Sequence, residues 1–92
     1  MLTFNQLDTD LMNSQFGKYV LGNDEVSMWG ISHPVGEWTL ILNDGIVTLK
    51  LQEYTYYDET DDFEYTVLKE FTADNMDDVL AILATQSDYD YQ

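Results

Sequence analysis

The polar and apolar positions of this chain change period twice. Near the N-terminus Phe4, Leu7, Leu11, Met12 and Phe16 recur at helical spacing, with Asn5, Asp8, Asp10 and Asn13 opposite. Thr3 followed by Gln6 fits a capping box, and Gly17 stands where a glycine can close a helix. The segment is rich in Thr, Asn and Asp, which form helices poorly, so it depends on packing its apolar face.

From Lys18 to Phe71 the period is two. Residues 18–21 predict a short strand, Gly22, Asn23 and Asp24 a turn, 25–31 a strand, and 32–36 a loop around His33 and Pro34. Strands over 37–43 and 46–57 flank Asp44-Gly45, a strong hairpin signal, and 63–71 forms the last strand beyond the acidic loop 58–62. A one-residue slip would reverse every side chain, so the apolar pattern tests register. A two-residue loop at Asp44-Gly45 sets Leu42 against Val47, Leu40 against Leu49 and Trp38 against Leu51, all apolar and on one face. For the next hairpin a five-residue loop sets Tyr57 against Phe63, Thr55 against Tyr65, Glu53 against Val67 and Leu49 against Phe71. The same register faces Lys50 with Glu70 on the outer side. A four-residue loop would bring Glu64 and Thr66 to the core side, so five is expected. After Thr72 helical spacing returns, with Asp74 as the expected N-cap, Asp77 and Asp78 in the first turn, and Met76, Val79, Leu80 and Leu83 as the apolar stripe. Residues 87–92 are aperiodic and are expected to fray.

The expected fold is therefore a single α+β domain over 1–92: an N-terminal helix, an antiparallel meander of four to five strands, and a C-terminal helix packed on one sheet face. Trp38, Leu40, Leu42, Val47, Leu49, Leu51, Phe63, Tyr65, Val67 and Phe71 are expected to face the helices, with Trp29 in the core or at its edge. On the other face Ile41, Leu68, Tyr54 and Tyr56 would make a mixed apolar and acidic patch, of the kind that often marks a partner surface.

Charge narrows the possible functions. The 92 residues carry 18 Asp plus Glu against three cations, Lys18, Lys50 and Lys69, for a net charge of −15. Direct nucleic-acid binding, which rests on neutralising phosphates, is excluded as an ordinary role, and so is attraction to anionic lipid. No apolar run approaches the roughly 20 residues needed to span a bilayer, and no basic segment followed by an apolar stretch predicts a signal peptide. A cytoplasmic location is the expectation. The 45% hydrophobic content, with seven Tyr, four Phe and two Trp, separates the chain from disordered acidic tails and supplies a small core.

Catalytic groups are scarce. The absence of Cys removes disulfides, thiolate nucleophiles and Cys-based zinc sites. The lone His33 lies in an expected loop, as a solvated or turn-stabilising residue. There is no Gly-rich phosphate loop, and anionic substrates would be repelled. The chain is expected to be no enzyme and to need no cofactor.

The densest feature runs from Glu53 to Tyr65, where Glu53, Asp58, Glu59, Asp61, Asp62 and Glu64 interleave with Tyr54, Tyr56, Tyr57, Phe63 and Tyr65. Alternating oxygen ligands from Asp58 to Glu64 suggest calcium, but Phe63 stands where the loop needs Gly and Lys69 occupies the twelfth-position Glu. No metal site is expected. Residues two apart on a strand lie about 6.6 Å apart, comparable to the step between successive phosphates along a nucleic-acid strand. A hairpin bearing carboxylates at that step can offer a phosphate-like row to a basic groove. An isolated charge run is ordinarily a solvated surface, but here the same sign extends over the whole chain.

In size and charge the chain resembles two groups of small acidic inhibitors. One is the phage-encoded proteins that block host defence nucleases, including DNA-mimic anti-restriction and anti-CRISPR proteins. The other is bacterial immunity proteins that neutralise a basic nuclease toxin. The resemblance lies in composition over the whole chain and carries no signature residues. It implies a non-catalytic inhibitor that mimics DNA, phage-type anti-CRISPR or anti-defence first and immunity protein or antitoxin second, acting in the host cytoplasm on a basic nucleic-acid-binding protein. An adaptor that self-associates through its outer sheet face is the expectation from a different class. The expected partner-binding residues are Glu53, Tyr54, Tyr56, Tyr57, Asp58, Glu59, Asp61, Asp62 and Glu64.

Overall fold

The computed structural model describes residues 1–23 and 27–90. Helix α1, Phe4–Asn13, begins where the capping pattern places it: Thr3 is extended and its Oγ1 accepts the Gln6 N–H at 3.2 Å. Leu7 and Leu11 are buried and Phe16 enters the core beyond the helix, whereas Met12 is exposed rather than on the apolar stripe. The helix ends at Ser14, not at Gly17. The Ser14 N–H and Oγ both donate to the Leu11 carbonyl, and the hydroxyl accepts the Phe16 N–H at 3.1 Å. Gly17 instead opens a 3₁₀ turn, Gly17–Tyr19. A Cβ there would lie 2.2 Å from the Met12 carbonyl oxygen.

Five antiparallel strands follow in sequence order as a meander: β1 Val20–Asn23, β2 Met28–His33, β3 Gly36–Asn43, β4 Ile46–Tyr57 and β5 Asp62–Ala73. Of the turn expected at Gly22, Asn23 and Asp24, the first two residues belong to β1 and Asp24 lies outside the described residues, as do Glu25 and Val26 of the next expected strand. The loop expected over 32–36 contracts to Pro34-Val35, because β2 continues through His33, which pairs with Gly36. Between β3 and β4, Asp44 (φ 53) and Gly45 (φ 79) make the tight turn with two left-handed residues that matches strand twist. The pairs Leu42–Val47, Leu40–Leu49 and Trp38–Leu51 hold as expected.

The last hairpin departs from the expected register. Its loop is four residues, since Tyr57 pairs with Asp62, and Asp61 (φ 56) makes the reversal. Nearer the core, Leu49–Phe71 and Lys50–Glu70 pair as expected. A β-bulge reconciles the two ends: Leu51 pairs with Lys69 and Gln52 with Val67, so Leu68 is the extra residue. The physical consequence is a reversal of faces along β5. Phe63, Tyr65 and Val67, expected in the core, lie on the outer face and are 65%, 53% and 48% exposed.

Helix α2 spans Met76–Asp90. Its N-cap is Asn75 rather than Asp74: Asn75 Oδ1 accepts the Asp78 N–H at 2.9 Å, and its carbonyl accepts the Val79 N–H. The expected frayed segment 87–92 is helical in backbone as far as Asp90, and Tyr91 and Gln92 lie outside the described residues. Both helices cover one face of the sheet. Leu7, Leu11, Val79 and Leu83 pack with Trp29, Ile31, Trp38, Leu40, Val47, Leu49 and Leu51 in one cluster. Fully burying each large apolar side chain contributes about 1.5–3 kcal/mol. Trp29 stacks on Phe4 with ring centroids 5.0 Å apart, and its Nε1 donates to Asp8 Oδ1 at 3.0 Å, tying β2 to α1. His33, expected in a loop, is buried at the end of β2, where Nδ1 accepts the Val35 N–H and stabilises the turn. No helix among the described residues is long and apolar enough to cross a membrane.

Candidate functional site

The candidate site is the outer part of the β4–β5 hairpin. The β3–β4 pairing ends at Gly36–Glu53, so beyond Glu53 the hairpin continues as a two-stranded ribbon. Gly36 marks the departure point: a Cβ there would lie 2.2 Å from the Gln52 carbonyl oxygen. Only a glycine lets β3 approach β4 this closely. Below it, Thr39 Oγ1 lies 3.2 Å from Gln52 Oε1 and 3.4 Å from Glu37 Oε1, while the Tyr54 hydroxyl donates to Glu37 Oε2 at 3.1 Å. This outer-face network anchors the ribbon to β3.

Along the ribbon the bulge sorts residues that alternate in sequence. Tyr54 pairs with Tyr65 and Tyr56 with Phe63 on the outer face. The rings contact one another: Tyr54–Tyr65 centroids are 4.7 Å apart, Tyr56–Phe63 5.0 Å and Tyr54–Phe63 6.5 Å. Such cross-strand aromatic pairs stabilise a ribbon that buries little else. The opposite face carries Glu53, Glu64 and Asp62, and each is paired with a neutral residue: Glu53 with Thr66, Glu64 with Thr55, Asp62 with Tyr57. No carboxylate directly opposes another, which spares the ribbon the worst of its self-repulsion. Asp58, Glu59 and Asp61 occupy the tip with Thr60.

Two phenols brace the tip. Tyr57 donates to Glu64 Oε2 at 2.6 Å and Tyr56 donates to Asp61 Oδ1. Hydrogen bonding to these carboxylates raises both phenol pKa values above the ordinary tyrosine range. Tyr54 is raised as well, by its hydroxyl's interaction with Tyr65, by partial burial and by Glu37. The phenols therefore stay neutral well into alkali. A shallow open recess at the tip is lined by Tyr56, Tyr57, Asp58, Glu59 and Thr60. Among the described residues no group of three or more His, Asp or Glu is arranged to hold a metal ion.

All nine residues singled out from the sequence lie on this hairpin. It adds Phe63, Tyr65 and Val67, which the expected register had assigned to the core. Glu37, on a different hairpin, was missed because its contact with Tyr54 spans 17 residues. The adjacent apolar pair Val67-Leu68 is the sequence signal that could have revealed the bulge, since it breaks the alternation of β5. Ile41 is half-buried on the outer face opposite Met28 and Thr48, and Leu68 is exposed at the bulge. No family model matches the chain, and comparison with curated proteins and with solved structures finds no match.

Proposed function

We propose that this chain is a non-catalytic acidic inhibitor that lays the β4–β5 ribbon in the basic, nucleic-acid-binding groove of a partner protein. The observation that carries this reading is the ribbon itself. Beyond the last β3 pair it holds five of the 18 carboxylates, with a sixth, Glu53, at its base, and this outer part contributes none of the buried core residues. A groove that gains affinity by releasing counterions from phosphates gains it in the same way from a folded polyanion. Carboxylates at the tip and on one face pair with the partner's Arg and Lys through charge-assisted hydrogen bonds. Tyrosines supply contact area at low conformational cost. The setting this reading fits best is phage-type anti-CRISPR or other anti-defence activity in the host cytoplasm.

Capture from host lysate at low salt, followed by elution with rising salt, tests the reading. The expected partner is a basic nucleic-acid-handling protein, lost when Asp58→Lys, Asp61→Lys and Asp62→Lys are combined. Undiminished capture by that variant, or capture of acidic proteins alone, contradicts it. A second reading, self-association through the outer sheet face, is favoured by the exposure of Phe63, Tyr65 and Leu68. Light scattering separates the two, because only self-association predicts a stable homo-oligomer.

A further inference from the structure

The ribbon has two chemically different faces, and a plain polyanion needs only one. Tyr54, Tyr56, Phe63 and Tyr65 leave roughly half of their surface open to solvent, at 41%, 48%, 65% and 53%. A carboxylate sits at the hydroxyl edge of two of these rings, Glu37 beside Tyr54 and Asp61 beside Tyr56. Among the described residues no lysine lies there: Lys50 pairs with Glu70 at 3.6 Å, Lys18 lies over the Tyr19 ring, and Lys69 is opposite Leu51 on the other face. The face is thus an array of neutral rings edged by carboxylates, on a protein of net charge −15.

The two biological cations respond differently to such a surface. A guanidinium is planar and weakly hydrated, so it can stack on a ring and donate in its own plane to a carboxylate at the ring edge. An ammonium is compact and strongly hydrated, and it satisfies itself on the carboxylates alone. A second copy of this chain is a poor occupant, since it would bring the same charge to the same face. We infer that the outer aromatic face of the ribbon selects arginine over lysine in the partner's groove, an inference that rests on the groove-binding reading above.

Oligo-arginine and oligo-lysine peptides of equal length are the probes, titrated into the intact chain at fixed ionic strength. The arginine peptide is expected to bind at least about fivefold more tightly, the effect of one to two exposed cation–π contacts. The combined Tyr54→Leu, Tyr56→Leu, Phe63→Leu and Tyr65→Leu variant, which keeps apolar strand residues but removes all four rings, should abolish that preference and leave lysine-peptide affinity within about twofold. Asp58→Asn with Glu59→Gln and Asp62→Asn should weaken both peptides in parallel. Circular dichroism and tryptophan fluorescence establish that each variant is folded. Equal binding of the two peptides by the parent chain overturns the inference and leaves the groove reading standing. If neither peptide binds, the groove reading itself falls. A stable dimer that buries the aromatic face would also overturn it.

Discussion

If the outer ribbon is a binding device rather than part of the folded body, it should be removable. Replacing residues 54–65 by Asn-Gly joins Glu53 directly to Thr66, which already pair across the hairpin, through a turn sequence suited to two residues. None of the buried core residues lies in the deleted segment, and its large side chains are 41–65% exposed. A two-stranded ribbon standing alone is marginal in water, so the segment adds little net stability of its own. The expected change in unfolding free energy is therefore within about 1 kcal/mol, against about 2–5 kcal/mol for Leu49→Ala in the core. Urea unfolding followed by tryptophan fluorescence is the right assay, because Trp29 and Trp38 are both buried in the body and report it alone. A loss as large as that of the core variant would refute the separation of body from ribbon.

Three further outcomes are expected. Asn75→Ala should cost about 1 kcal/mol in urea unfolding, through loss of the cap on the Asp78 N–H. Gly36→Ala should cost about 1–3 kcal/mol by the same measurement, because its Cβ meets backbone that cannot move aside. In an ultraviolet titration Tyr56 and Tyr57 should ionise above the ordinary value of about 10, and Asp61→Asn with Glu64→Gln should bring them back toward it. A pKa raised on folding gives stability that is complete below the unfolded value and lost as pH rises through the folded one, so the phenols' bracing of the ribbon should be lost in alkali.

Much of the body was legible because its signals were local or repeated. Asp44-Gly45 forces a two-residue turn, and three apolar pairs in succession leave no alternative register for β3 and β4. Thr3 announced α1 correctly. At α2, adjacent Asp74 and Asn75 both suit an N-cap, and periodicity alone does not choose between them. The last hairpin was harder for a different reason. A five-residue loop keeps apolar residues on the core side throughout, and the apolar pattern therefore favours it. The protein instead uses the four-residue loop and inserts Leu68, so one end obeys that rule and the other reverses it. A bulge is a balance between distant pairs, not a local motif. For the same reason the sequence places the nine candidate residues on one hairpin, but not their division into an aromatic and an acidic face.

In the proposed binding mode the ribbon and nucleic acid are alternative occupants of one groove. The most direct measurement is competition: binding of the chain to its captured partner while duplex or single-stranded nucleic acid is added. Mutual exclusion is expected, with the apparent Kd of the chain rising linearly with nucleic-acid concentration and binding weakening as salt increases. A stable ternary complex, with the chain's affinity unaffected by saturating nucleic acid, would contradict it.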